Sequence, residues 1–231
     1  MSIPKDKVVV ISGGTISYIR PHFALMAPAY GGIGDFFESC FEKRKNDWND
    51  IIDIYNVKTK LAGGGEILET NEDMGQYIDQ LLENHEVKCI VMAAAICDFK
   101  AESIIQTDGI SEYADYKIGK EHDRLCSDED ISLHLTPNRK IVRKIKAVRP
   151  DIFLVSFKTT TSKSYPELVE ECKLSQELHD SDLVFGNDLV ARNNLLYYPG
   201  GRNTCYAGRY VIAEKVVDEI ICHFQSGGFR V

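Results

Sequence analysis

The sequence predicts an α/β fold in which a mostly parallel sheet carries helices on both faces, and three observations predict it. Short apolar or β-branched runs alternate with amphipathic stretches along nearly the whole chain, as expected when each strand leads into a crossover helix. The run Cys89-Ile90-Val91-Met92-Ala93-Ala94-Ala95-Ile96-Cys97 is continuously apolar, which marks a strand covered on both faces. Polar or small residues end the apolar runs at Gly13-Gly14-Thr15, Asp98, Phe157-Lys158-Thr159 and Asn187-Asp188. In a doubly wound sheet such ends line one edge, and ligands bind there.

The elements follow in order. Residues 7–12 (KVVVIS) form a buried first strand that breaks at Gly13-Gly14. The cluster Gly31-Gly32-Ile33-Gly34 opens a helix with Phe36, Phe37, Cys40 and Phe41 on one face. Residues 50–57 read as a second strand. Thr70 and Asp73 are spaced as a capping box, and Met74, Tyr77, Ile78, Leu81 and Leu82 follow at helical spacing. Residues 87–95 are the third strand. Residues 100–135 then break the alternation, with Ser132-Leu133-His134-Leu135 the clearest strand-like piece; a connection of that length is a functional excursion, either a flap or a dimer-forming ribbon. Thr136-Pro137 reads as an N-cap and first helical residue, with Ile141, Val142, Ile145 and Val148 as the buried stripe. Residues 151–157 form a fourth strand, 164–178 a helix with Pro166 in its first turn, and 182–186 a fifth strand. After a turn at Tyr197–Gly201, the last helix buries Ala213, Val216, Val217, Ile220, Ile221 and Phe224. A chain of 231 residues suits one domain spanning residues 1–231.

Composition narrows the function. A net charge of -8 argues against nucleic acid or an anionic membrane as the main partner, since either needs a dominant basic field. No apolar run approaches the ~18 residues of a membrane helix, and residues 1–7 lack a signal-peptide pattern, so a cytoplasmic location is expected. The seven cysteines are widely spaced without a C-x-x-C pair, which fits small core residues in a reducing compartment. The six histidines show no zinc spacing. Glycine-rich turns ahead of helices expose N–H groups suited to phosphate, yet neither G-x-G-x-x-G nor G-x-x-x-x-G-K-[ST] occurs. Judged singly, Gly13-Gly14 reads equally as a turn, Asp98 as a cap, Lys117, Lys120 and Lys158 as surface lysines, Phe157 as core and Asn187 as a turn residue.

Taken together, I-S-G-G-T at 11–15, A-A-I-C-D-F at 94–99, K-I-G-K at 117–120, L-H-L-T-P-N-R-K-I at 133–141, S-F-K-T at 156–159 and D-L-V-F-G-N-D-L at 182–189 resemble the phosphopantothenoylcysteine synthetase family. The resemblance implies a Rossmann-like homodimer in which a carboxylate attacks the α-phosphate of CTP or ATP, with Mg²⁺, and cysteine captures the acyl group. It implies a stand-alone synthetase without the flavin-dependent decarboxylase half. It places Gly13, Gly14, Thr15, Ala95, Asp98, Lys120, Phe157, Lys158 and Asn187 around the nucleotide, with Asp98 on Mg²⁺ or the ribose. Lys117 would steady the reacting phosphate, reaching from the partner subunit. The departures lie between Ile16 and Gly34, where the family's acyl-holding asparagine falls on Ala27 and its lysine on Gly32. Arg20, His22, Ala27 and Gly31 are the substrate-side candidates, Arg20 and His22 as replacements for lost polar groups. The family's lysine-rich, base-reading stretch is thin here, at Glu177-Leu178-His179-Asp180-Ser181. A member redirected to another acid or amine, and a non-catalytic nucleotide-binding dimer, are the alternatives.

Overall fold

The computed structural model describes residues 5–65, 67–107, 112–201 and 204–227. In chain order these form β1 (Asp6–Gly14), β2 (Ile16–Arg20), β3 (Phe23–Met26), α1 (Gly32–Lys43), α2 (Lys45–Trp48), β4 (Ile52–Lys58), a 3₁₀ turn (Lys60–Ala62), α3 (Asn71–Glu83) and β5 (Val87–Ala95). There follow β6 (Phe99–Thr107), β7 (Glu112–Asp115), β8 (Asp130–Pro137), α4 (Val142–Val148), β9 (Phe153–Thr160), α5 (Tyr165–His179), β10 (Leu183–Asp188), β11 (Asn194–Tyr197), β12 (Cys205–Tyr206) and α6 (Arg209–Gln225).

The main sheet runs β12-β11-β10-β9-β5-β1-β4. Strands β4, β1, β5, β9 and β10 are parallel, and β11 and β12 add on antiparallel. Alternate strand residues feed two cores. One face buries Val8, Val10, Cys89, Val91 and Val155 against Phe37 and Phe41 of α1 and Ile212, Val216 and Ile220 of α6. The other buries Val9, Ile11, Ile90, Met92 and Leu154 against Met74 and Ile78 of α3 and Ile145 of α4. Leu168 and Cys172 of α5 cover Val184 and Leu195 farther along. The Thr70–Asp73 capping box starts α3, and Ser164 with Glu167 starts α5 in the same way, with proline in the first turn.

The chain leaves β1, places β4 on one side of it, and returns to place β5 on the other. The carboxyl ends of β1 and β5 therefore bound the crevice at a topological switch point, where open α/β sheets take ligands.

Three regions differ from the sequence expectation. Residues 16–26 form an antiparallel hairpin, Ile16↔Met26 to Arg20↔Phe23. The excursion is a three-stranded antiparallel sheet, β7-β6-β8, that packs Ala101, Ile104 and Leu133 on Ile19, Phe23 and Leu25 of the hairpin. Thr136-Pro137 does not cap a helix: the pair ends β8, with Thr136 opposite Lys100 and Pro137 opposite Phe99. Proline is tolerated there because β8 is an edge strand and Pro137 its last residue. The helix starts only at Val142, and Val148, placed in the buried stripe from spacing, is 52% exposed at its end.

Candidate functional site at the carboxyl edge

Thr15 organises the crevice. Its hydroxyl donates to Asn71 Oδ1 and accepts from the Cys97 N–H at 2.9 Å. Asn71 Nδ2 and Asn138 Nδ2 both donate to the Cys97 carbonyl, at 2.8 and 3.0 Å. The start of α3, the end of β5 and the turn after β8 are thus tied to the first glycine turn by buried or half-buried hydrogen bonds. Gly14 and Ala95 face each other across the β1–β5 ladder, and the Ala27 N–H donates to the Thr15 carbonyl at 3.0 Å. Ala27 therefore reaches the crevice through its backbone, carrying no polar side chain there.

On the other side of β1 the glycines permit close packing of the turn after β4 and of the start of α1. Gly13 has φ +102°, and a Cβ there would lie 2.1 Å from Thr59 Oγ1. A Cβ on Gly34 would lie 2.2 Å from Ser12 Oγ and 3.0 Å from Asn56 Oδ1. Ser12 Oγ, Asn56 Oδ1 and Thr59 Oγ1 are all buried without a hydrogen-bond partner. Buried polar atoms are normally satisfied, and leaving one unpaired costs about 1–3 kcal/mol. Here three of them gather where α1 begins, behind Gly31 in the left-handed conformation (φ 79°), and where the first-turn N–H groups of Gly32 and Ile33 lack intrahelical acceptors. Hydroxyls and orphan amides at a helix N-terminus suit an anionic group.

The strand ends β9 and β10 complete the edge. Phe157 is half-buried, stacked on Phe185 at 4.8 Å and edge-on to Phe37 at 6.2 Å. Lys158 points to the opposite face and pairs with Glu171 of α5 at 2.9 Å. Asn187 is buried and accepts from Thr159 Oγ1 at 2.9 Å. Its neighbour Asp188 accepts from the N–H groups of Ser162, Lys163, Val190 and Ala191 and from Thr160 Oγ1, all between 2.7 and 3.0 Å. Burial raises its pKa, but these donors outweigh it and hold the carboxyl well below its usual range. Asp188 thus sets the loops flanking Asn187, a role the sequence reading missed.

Asp98 is exposed and ion-paired with Lys140, while its carbonyl accepts from the Asn138 N–H at 2.8 Å. Among the described residues no three His, Cys, Asp or Glu side chains gather as a metal site. A single exposed carboxylate already engaged by a lysine does not fit a resident, protein-held Mg²⁺, and no step below runs through one.

The flap meets the body through a second cluster. Glu69, 4% exposed, accepts from Tyr18 Oη at 2.6 Å, Lys60 Nζ at 2.9 Å and Lys120 Nζ at 2.7 Å. Burial opposes its ionisation, yet Lys120, Tyr18 and Lys60 bring its pKa down to about 2. Lys120 also lies over the Tyr18 ring, 5.3 Å from its centroid. Arg20, 2% exposed, pairs with Asp115 of β7 and donates to the Ile19 carbonyl at 2.9 Å; its charge joins the hairpin to the flap sheet. His22 sits exposed in the hairpin turn, beside Arg124 and Leu125 in a shallow depression. Lys117 is exposed, and its N–H donates to Asp115 Oδ1 at 2.9 Å. Nothing local marks Glu69 in the sequence: its lysine partners are 9 and 51 residues away.

Residues 177–181 lie at the far end. The helix α5 leaves the carboxyl end of β9 and runs back, so these residues precede β10 at the amino edge, where the Asp182 N–H donates to the carbonyl of Leu154, near the start of β9. Within this chain that stretch lies on the amino side of the sheet and carries none of the lysines of the family's base-reading segment.

Comparison with known proteins decides the family. The model for the DNA/pantothenate metabolism flavoprotein C-terminal domain matches residues 5–198. The chain belongs to this family. Relatives include the coenzyme A biosynthesis bifunctional protein CoaBC of Thermococcus kodakarensis, 30% identical over 190 residues, and that of Methanocaldococcus jannaschii, 20% identical over 184. The alignments cover 82% and 80% of this chain but only 43% and 41% of those proteins, so the chain matches less than half the length of its curated relatives. Family members also share the fold. The Streptococcus pneumoniae DNA/pantothenate metabolism flavoprotein superposes with a TM-score of 0.74 at 18% identity, covering 94% of this chain and 99% of that one. The C-terminal domain of a CoaBC protein gives 0.65 at 12% identity, covering 97% and 98%. A Cab2 variant in complex with phosphopantothenate-cysteine gives 0.62 at 15%, covering 96% and 87%.

Proposed function

We propose that the protein is a nucleotide-dependent carboxylate–amine ligase that joins phosphopantothenate to cysteine in coenzyme A synthesis, with CTP or ATP as the activating nucleotide. The observation that carries the reading is the gathering of unpaired Ser12, Asn56 and Thr59 atoms at the glycine-rich start of α1, beside the switch-point crevice. Family membership and the names of the relatives supply the substrates.

In the reaction, an oxygen of the acid's carboxylate attacks the α-phosphate, the bond to the β-phosphate breaks, and pyrophosphate leaves with the electron pair. The cysteine amine then attacks the acyl carbon and expels the nucleoside monophosphate, losing one proton. Two anions must meet in the first step, so fixed positive groups have to offset their repulsion and the charge building on pyrophosphate. The hydroxyls of Ser12 and Thr59 and the N–H groups of Gly32 and Ile33 would hold the phosphates. Lys117 would meet the reacting phosphate. Gly13, Gly14, Thr15 and Ala95 form the crevice floor, Asn187 and Phe157 lie farther along the edge, and Asp98 with Lys140 marks its rim. Mg²⁺ would enter with the nucleotide, held by its phosphates. Lys120 and Lys158 would act through their carboxylate partners.

The flap sheet suits a homodimer, with its outer face, including Ile105, Tyr116 and His134, meeting a second copy. Cytoplasmic location follows from the same metabolic role; among the described residues no helix is long and apolar enough to cross a membrane.

The test is pyrophosphate release with CTP or ATP and Mg²⁺, with and without phosphopantothenate and cysteine, using Lys117→Ala as control. Release that needs phosphopantothenate and disappears in the variant is expected. A second reading, a member redirected to another acid, rests on Ala27 standing where the family has asparagine. Ala27→Asn separates the two: improved phosphopantothenate turnover favours the first, and loss of an activity seen with another acid favours the second.

A further inference from the structure

The segment that presents Lys117 is pinned on both sides. Before it, Asp115 is held by the buried Arg20 and accepts from the Lys117 N–H at 2.9 Å. After it, the Gly119 N–H donates to the Ile19 carbonyl at 3.2 Å, and Lys120 Nζ reaches Glu69 at 2.7 Å. Ile118 between them packs against the buried cluster of Ile19, Ala101 and Ile104. Residues 115–120 thus form a strap laid over the hairpin, and its last charged fastening is Glu69.

Glu69 is unusually placed for that task. Its carbonyl accepts from the Ile16 N–H at 2.9 Å, one residue after Thr15, and its N–H donates to Asp73 Oδ2 at 3.2 Å in the first turn of α3. The carboxylate therefore sits on backbone fixed to the crevice itself. Its three donors come from the hairpin (Tyr18), the turn after β4 (Lys60) and the strap (Lys120). Lys60 and Lys120 remain 42% and 57% exposed, whereas the carboxylate is 4% exposed. A buried acid with half-exposed lysines is a fixed anchor to which mobile arms attach.

We propose that Glu69 is a positioning residue for the ligase reaction, holding the strap through Lys120 and Tyr18 so that Lys117 is presented in one place relative to the crevice. This rests on the ligase reading above. Glu69 meets no substrate in this role; it fixes where the strap presents Lys117. Misplacing a reacting group by about 1 Å can cost up to ~10²-fold in rate, so a lost fastening shows in turnover more than in nucleotide binding.

The experiment compares wild type, Glu69→Gln, Lys120→Met and the double variant. Pyrophosphate release gives kcat and the nucleotide KM, and amide hydrogen exchange is read at residues 115–120 and, as an internal control, in Val8–Ile11 of β1. Glu69→Gln keeps the side-chain shape and removes the charge. The expected result is a kcat loss of roughly tenfold with KM changed less than about twofold, faster exchange in the strap and unchanged exchange in β1. The double variant should be no worse than the poorer single one, because both act through one contact. Losses that multiply, or a KM change larger than the kcat change, overturn the proposal, as does unaltered strap exchange in folded Glu69→Gln. If the wild type releases no pyrophosphate with any acid and amine, the ligase reading fails and so does a positioning role in it; strap exchange still reports separately whether Glu69 holds the strap.

Discussion

The amino and carboxyl edges of the main sheet differ in where their unpaired buried polar atoms gather. At the amino edge the Arg149 guanidinium donates twice to Asp151 and also to the carbonyls of Leu82, Asn84 and Val87, at 2.8 to 3.3 Å. Lys146, with its side chain 4% exposed, pairs with Asp182, which also accepts from the Leu154 N–H at 2.8 Å. At the carboxyl edge, Ser12, Asn56 and Thr59 together bury polar atoms without partners, whereas at the amino edge His179 Nε2 is a lone such atom among the described residues. The difference teaches which end serves stability and which keeps hydrogen-bonding capacity for something else. A buried group that is fully paired stabilises by specifying the fold, whereas a buried group left unpaired persists only where another need outweighs its cost.

The largest effect should come from the amino edge. Lys146→Met leaves the Asp182 carboxylate buried without its cation, and should cost about 3–5 kcal/mol in urea unfolding while leaving nucleotide affinity within twofold. A comparable loss of affinity would break the division between the edges. Ser12→Ala should act in the reverse sense. Removing an unpaired hydroxyl should raise stability by about 1 kcal/mol, and nucleotide affinity measured by calorimetry should fall by roughly tenfold, as for a lost hydrogen bond to a charged group.

Acid titration sharpens the comparison, because the two edges respond in different windows. Burial first, then the cations Arg143, Lys140 and Lys158, lower the His179 pKa to about 4. The unfolded chain then binds more protons than the native one between the ordinary histidine value of 6.5 and about 4. Stability from this group is complete above that window and is lost as pH falls through it. Glu69, lowered to about 2 from an ordinary 4.5, contributes fully above 4.5 and loses its contribution as pH falls towards 2. Unfolding curves of His179→Gln should lose slope in the upper window only, and those of Glu69→Gln in the lower only. The smallest effect is expected of Lys158→Met, whose half-exposed pair with Glu171 should be worth about 0.5 kcal/mol by thermal unfolding.

How much of this was legible follows from how far each feature reaches along the chain. The capping box at Thr70 and Asp73 and the periodicity of α1, α3 and α6 are local, and the structure has them where spacing predicts. Thr136-Pro137 obeys equally good local capping rules, but hydrogen bonds to β6 outweigh them. The hairpin at 16–26 and the strands β11 and β12 escaped detection because their partners, not their own sequences, make them strands.

The sequence by itself determined the alternation of strand and helix, and with it the parallel sheet and the edge on which Gly13, Asp98, Phe157 and Asn187 end. Each of those follows from local period and from the direction that a crossover imposes. Only the tertiary structure decided that Arg20 is buried against Asp115, that residues 177–181 lie at the amino edge, and that Glu69 gathers Tyr18, Lys60 and Lys120. These are pairings of charge and hydroxyl across long sequence separations. They are selected by packing and desolvation once the chain has closed, and no local pattern of residues encodes them.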